Sequence, residues 1–241
     1  MSQPGLRGFV ARRWSRTEYL GLHLTIGLLA CVGLLLVFGA IAHFAVGGNQ
    51  PAFALDRCVG LALRDVREES PALRDAAIVA TELGAVQWMA CFSLAVALVL
   101  LWKRQRQLAA VWLICVVGGA LLNSQVKDIF HQPRPWFADP WVREASTPSF
   151  PSGHSAGAMV GYGLLAYLLL RALKRPWARA AAVAGLALLI LAVGFSRIFL
   201  GAHWLSDVLG GLTIGACWLA ACVSALETIR RRPKKALPPR P

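Results

Sequence analysis

Charge is scarce in this sequence. Asp, Glu, Lys and Arg together make 15% of its 241 residues, against 57% hydrophobic ones, and Asp and Glu number only 12. Apolar runs of about 20 residues recur along it; a soluble domain of this length has no need of them, whereas a bilayer-spanning helix does. No polar stretch is long enough for a separate soluble domain, and there is no internal repeat or low-complexity linker. The formal net charge of +13 therefore has no basic surface domain to sit on, and nucleic acid is not expected as a partner. Metal-ligand spacing is absent as well: none of the six cysteines (31, 58, 91, 115, 217 and 222) forms a zinc pattern with histidine. All but Cys58 fall inside apolar runs. That excludes an intramolecular disulfide for Cys58 and leaves the others as small packing residues.

What is present is six apolar runs, near 19–46, 77–102, 108–126, 154–170, 178–196 and 204–226. They predict an all-α fold: a six-helix transmembrane bundle forming one domain at 19–228, between a basic N-terminus at 1–18 and a basic, Pro-rich tail at 229–241. Orientation follows from the cations. Arg7, Arg12, Arg13 and Arg16 precede the first run. Lys103, Arg104 and Arg106 follow the second, Arg171, Lys174, Arg175 and Arg179 follow the fourth, and RRRPKK follows the sixth. These four segments alternate so as to share one side, with only Glu18 and Glu227 as acids beside them. The positive-inside rule makes that side, and both termini, cytoplasmic.

The first run has a basic flank and Ala40-Ile41-Ala42, as a signal peptide would, but it is far longer than the roughly 7–15 residues of a signal core and is expected to stay as an anchor. Trp102, Trp136, Trp141, Trp177 and Trp204 lie near run ends, where an interfacial aromatic belt would place them. Between the first two runs, Leu55, Val59, Ala62, Leu63 and Val66 recur at helical spacing and predict a short amphipathic helix on the membrane surface.

Polar residues inside or beside a membrane are the informative ones, and here they gather in three places. KDIFHQPRP holds Lys127 and Arg134 after the third run. PSGHS opens the fourth with Ser152, Gly153 and His154. SRIFLGAHWLSD joins the fifth and sixth through Arg197, His203 and Asp207. On the topology above all three face outward and can meet in one pocket. Lys127, Arg134 and Arg197 have little beside them to neutralise except Asp207 and Asp128. Ser152 is a good N-cap, and the N–H groups of a helix start add donors and a positive dipole end. Three cations at a helix N-terminus call for a phosphate. His203 and Asp207, four apart on one helical face, can hydrogen-bond; a carboxylate on one imidazole nitrogen leaves the other free as a nucleophile. His154 has no carboxylate at that spacing and suits proton donation.

In residue and spacing these stretches match K-x6-R-P, P-S-G-H and S-R-x5-H-x3-D, and the chain resembles the type 2 phosphatidic acid phosphatase superfamily. The resemblance implies that Lys127, Arg134, Ser152, Gly153 and Arg197 bind phosphate. It implies that His203, oriented by Asp207, forms a phosphohistidine, and that His154 protonates the leaving oxygen and then activates water. It implies no metal and no other cofactor. The implied protein is a metal-independent lipid phosphatase of the bacterial cytoplasmic membrane with its site on the outer face. The surface helix followed by TELG resembles members acting on undecaprenyl diphosphate or phosphatidylglycerophosphate. Undecaprenyl diphosphate is the favoured substrate, with phosphatidylglycerophosphate or phosphatidic acid as further possibilities.

Other readings compete. Lipid A phosphatases and lipid phosphotransferases share the motifs, and vanadium haloperoxidases share them inside a soluble helical shell. A non-catalytic lipid-phosphate carrier or channel would need neither nucleophile nor acid. His23 and His43 read as interfacial or packing residues without partners, and His131 as an accessory to the site at most. Glu82 is an intramembrane acid and a functional suspect by default. Gly157 with Gly161, and Gly211 with Gly215, have the spacing that lets the fourth and sixth helices approach closely.

Overall fold

The computed structural model describes residues 22–46, 51–142 and 147–231. The basic segment 1–18 and the tail beyond Arg231 lie outside the described residues. Within them the chain forms eight α-helices: α1 Leu22–Ala45, α2 Pro51–Glu69, α3 Pro71–Glu82, α4 Val86–Trp102, α5 Arg106–Lys127, α6 Gly153–Ala172, α7 Pro176–Phe199 and α8 Leu205–Arg230. Their starts are written in the sequence. Pro71 and Pro176 sit in the first turns of α3 and α7, where a missing N–H costs nothing, and the Ser152 side chain caps α6.

Helices α1, α5, α6, α7 and α8 are each long and apolar enough to cross a membrane, and α3 with α4 makes a sixth candidate span bent by 49°. The chain is thus an all-helical, multi-span membrane protein. Leu29 and Leu36 of α1 are 62% and 70% exposed, a surface suited to lipid and costly in water. α1 packs on α8, where Cys31 and Cys217 exchange Sγ contacts with each other's carbonyls at 3.6 and 3.7 Å. His23 is not without a partner: its Nε2 lies 3.2 Å from Thr228 Oγ1.

The second run corrects the expectation of one continuous helix over 77–102. Helix α3 stops at Glu82, and α4 starts afresh at Val86. The freed backbone is satisfied from outside, as a membrane demands: Tyr162 donates its hydroxyl to the Leu83 carbonyl at 2.7 Å.

Helix α2 fills the place of the short amphipathic helix expected between the first two runs. Leu55 and Val66 of its apolar stripe are exposed, while the buried side of the helix carries polar residues, Asp56 and Arg67. Gly60 lies on that side against the rings of Phe137 and Trp204. The helix is tied to the body by Asp56 and Arg67 and by Leu63, which packs beside Ala77, Phe199 and Leu200, while Leu55 and Val66 face outward.

Of the two glycine pairs, Gly211 and Gly215 behave as expected: a β-carbon at Gly211 would fall 2.4 Å from the Ser152 carbonyl and one at Gly215 2.9 Å from that of Ala156, so α8 rides on the backbone of α6. Gly161 instead faces Met89 of α4, and a β-carbon at Gly157 would touch nothing within 4 Å.

The ends of the bundle have opposite characters. Arg171, Arg230 and Arg231 gather with Tyr167 around Glu227, at the far ends of α6 and α8. The motif residues lie at the other end, where α5 and α7 finish and α6 and α8 begin.

Candidate active site

The turn from α7 to α8 sets the centre. The N–H groups of Ala202 and His203 both donate to the Arg197 carbonyl, at 3.0 and 3.1 Å, closing the five-residue spacer into a tight loop. Gly201 makes this possible, with φ +67°, in a left-handed conformation that a side chain disfavours. A β-carbon there would also lie 3.1 Å from the Phe137 carbonyl.

Asp207, in the first turn of α8, accepts the Trp204 N–H on Oδ2 at 2.7 Å and so caps its own helix. His203 Nδ1 lies 3.3 Å from the same oxygen. The hydroxyl of Ser149 donates to it as well, and sits 3.3 Å from His203 Nδ1. His203 and Asp207 are 3% and 0% exposed, so neither is shared with bulk water. Burial holds the His203 imidazole pKa well below its ordinary value, and the nearby charges of Arg197, Arg134, Lys127 and then His154 depress it further. The imidazole is therefore neutral at neutral pH. Arg134 reaches the Ala202 carbonyl next to this ring and Lys127 the Pro148 carbonyl next to Ser149, so the cations of the first motif gather at the turn that carries Arg197 and His203.

Helix α6 begins against the same turn. The Ser152 N–H donates to the Asp207 carbonyl at 2.9 Å, which joins its N-terminus to α8. The Ser152 hydroxyl oxygen accepts from the Ser155 N–H at 3.4 Å and from its hydroxyl at 3.1 Å. What Ser152 brings is thus the helix end itself, with the partly exposed Gly153 and His154 in its first turn.

The first motif arrives from α5. Lys127 Nζ donates to the Pro148 carbonyl at 2.7 Å. Arg134 donates to the Thr147 carbonyl at 3.0 Å, to the Thr147 hydroxyl at 2.9 Å and to the Ala202 carbonyl at 3.1 Å. The two cations thereby hold the stretch 147–149 that delivers Ser149 to Asp207. The eight residues expected from the motifs therefore come together.

Other residues were not legible in the sequence. Ser149 precedes Phe150 and the P-S-G-H motif with no spacing to mark it. Asp56 accepts the Ser206 N–H at 2.9 Å and its hydroxyl at 2.5 Å, clamping the start of α8. Arg67 donates to the carbonyls of Phe199 and Phe137, both at 3.0 Å. Thr81 accepts from Arg197 Nη1 at 2.8 Å. In the sequence Asp56 and Arg67 are two of several charges between the first two apolar runs; only the fold turns them inward. Conversely Asp128, His131 and Glu82 are exposed, and Glu82 meets Trp141 Nε1 at 3.2 Å. A cavity of about 550 Å³ next to α2 is lined by Arg64, Arg67, Arg74, Trp136 and Asp139 among others, and by none of the motif residues.

The chain is similar to known proteins in sequence and in fold. A family model described as the PAP2 superfamily matches residues 108–231. Phosphatidylglycerophosphatase B of Bacillus subtilis is 41% identical over 98 residues, 39% of this chain and 46% of that protein. An undecaprenyl-diphosphatase of Sulfolobus acidocaldarius is 32% identical over 136 residues, 55% of this chain and 61% of that one. The chain spans about half the length of the curated relatives it matches. The crystal structure of a transmembrane PAP2-type phosphatidylglycerolphosphate phosphatase from Bacillus subtilis superposes with a TM-score of 0.75 at 27% identity, covering 84% of this chain and 98% of that one.

Proposed function

The chain belongs to the PAP2 superfamily, and from that premise we propose that it removes a terminal phosphate from a membrane lipid. The observation that carries this reading is the setting of His203: neutral, buried, backed on Nδ1 by Asp207, and surrounded by Arg197, Arg134, Lys127 and His154. A structural ion cluster would not arrange cations around a neutral imidazole at a membrane interface.

In the proposed reaction the substrate phosphate takes the charge of Lys127, Arg134 and Arg197 and the N–H groups that open α6. With Nδ1–H donating to Asp207, the Nε2 lone pair of His203 attacks phosphorus in line. The bond from phosphorus to the lipid oxygen breaks as His154 gives that oxygen a proton. His154, now neutral, takes a proton from water, whose oxygen attacks the phosphohistidine. Inorganic phosphate leaves and His203 returns to its starting state. Two histidines in different surroundings thus take different parts of one proton cycle.

By the positive-inside rule the site faces outward and both termini are cytoplasmic. Undecaprenyl diphosphate is the substrate we favour. Phosphatidylglycerophosphate is the second reading, favoured by the 41% identity to phosphatidylglycerophosphatase B. The test is phosphate release by the purified protein in detergent from undecaprenyl diphosphate, phosphatidylglycerophosphate, phosphatidic acid and lipid A, with His203→Ala as the blank. Release from one of the first two well above the others supports the reading. Binding of the lipids without any release would make the protein a carrier.

A further inference from the structure

The geometry points to the break between α3 and α4 as a working part of the site: Thr81 orients Arg197, and Gly84 fixes the place of His154. The inference rests on the phosphatase reading above and extends it to residues outside the three motifs.

Thr81 lies in the last turn of α3, 2% exposed, and its Oγ1 accepts from Nη1 of Arg197 at 2.8 Å across 116 residues of sequence. A guanidinium is a rigid planar fork, so holding one of its nitrogens sets the direction in which the others point. Arg197 is itself only 2% exposed, which leaves it little room to swing. Three residues on, Gly84 touches the other end of the site. A β-carbon there would lie 3.2 Å from both Cβ and Cδ2 of His154, and 2.5 Å from Cγ1 of Val193, one turn before Arg197 on α7. The backbone of the break is therefore the surface against which the His154 ring rests.

The break is also anchored. The Gly84 N–H turns back to the Thr81 carbonyl at 2.9 Å. Tyr162 of α6 donates to the Leu83 carbonyl and accepts from Trp88 Nε1 at 2.9 Å. The helix that bears His154 thus also holds the break in place. A continuous helix through this span would need no such support. Interrupting it in a membrane exposes backbone groups that must find partners, and here the interruption brings a hydroxyl to Arg197 and bare backbone to His154. Neither Thr81 nor Gly84 touches the reacting atoms in this account; both are positioning residues.

The experiment uses the full-length protein in detergent, with Thr81→Val, Thr81→Ser and Gly84→Ala. Thr81→Val should lower kcat about tenfold or more, as loss of a hydrogen bond to a charged group does, with a smaller change in KM. Serine should restore most of it. In an Arg197→Ala background Thr81→Val should have no further effect, because the group it orients is gone. Gly84→Ala should slow release from phosphatidylglycerophosphate, whose leaving alkoxide needs a proton, more than from nitrophenyl phosphate, whose leaving group does not. Orthovanadate affinity, measured by calorimetry, reads the Arg197 position without turnover and should weaken in Thr81→Val but not in Thr81→Ser. Wild-type protein that binds vanadate yet releases phosphate from no lipid would count against the phosphatase reading alone. Equal vanadate affinity in wild type and Thr81→Val, equal losses in the valine and serine variants, or equal slowing of both substrates by Gly84→Ala would overturn the positioning role.

Discussion

The backbone N–H of His203 donates to the carbonyl of Arg197 at 3.1 Å. One turn of chain thus carries both a cation proposed to bind phosphate and the imidazole proposed to attack. The S-R-x5-H spacing is the length of that turn, and Gly201 is the residue that lets it close. Arg197→Ala should therefore lose about 2–4 kcal/mol of transition-state stabilisation, the range for one strong charge-stabilising donor. Lysine should recover only part, since a point charge does not reproduce a fork anchored on Thr81. Steady-state kcat/KM for both variants is the check, and turnover of Arg197→Ala near wild type would remove the residue from the site.

Ser149 gives a second prediction. Its hydroxyl donates to the Asp207 oxygen that faces His203. Ser149→Ala should cost about 1–3 kcal/mol in kcat/KM, the range for leaving a buried acceptor short of a partner. Ser149→Thr, which keeps a hydroxyl, should recover part of it. Wild-type kinetics in Ser149→Ala would show that Asp207 is held well enough by the Trp204 N–H alone.

How far the sequence reaches is clear from residues such as these. Lys127, Arg134, Ser152, Gly153, His154, Arg197, His203 and Asp207 were legible because motif spacing and helix polarity are local properties, and run lengths located the spans. Ser149, Asp56 and Thr81 were not. Asp56 meets Ser206 across 150 residues and Thr81 meets Arg197 across 116, and neither contact leaves a period or a spacing in the chain. The break at Gly84 was hidden for a related reason. Thr81, Glu82 and Gly84 do punctuate the apolar run there, but nothing in the sequence shows how closely Gly84 fits against Val193 and His154.

A third prediction concerns pH. Burial first, then the surrounding cations, hold the His203 pKa below its ordinary 6.5. In imidazole NMR of the detergent-solubilised protein, His203 should remain neutral at pH 6, and His203→Gln identifies its signal. The sign for stability follows. The unfolded chain takes up a proton as pH falls through 6.5 while folded His203 does not, so this group's contribution to stability is present above 6.5 and lost below it. A His203 signal titrating at or above 6.5 would contradict the depression.

The fourth tests orientation. A cysteine placed at the exposed Trp141 should react with an impermeant thiol reagent from outside intact cells, and one at the exposed Gln105 only after the membrane is opened. Both are best made in a background where the exposed Cys58 and Cys91 are serine. Labelling of position 141 only from the cytoplasmic side would place the site on the inner face.

The central claim is that His203 carries the phosphoryl group and His154 moves the proton. It is tested most directly by trapping the phosphoenzyme with radiolabelled nitrophenyl phosphate, whose leaving group needs no proton. His154→Ala should accumulate a covalent phosphate that is acid-labile and base-stable, as a phosphohistidine is, and release it slowly for want of the water-activating base. His203→Ala should form none with any substrate. Label appearing in His203→Ala and not in His154→Ala would reverse the two roles and contradict the account.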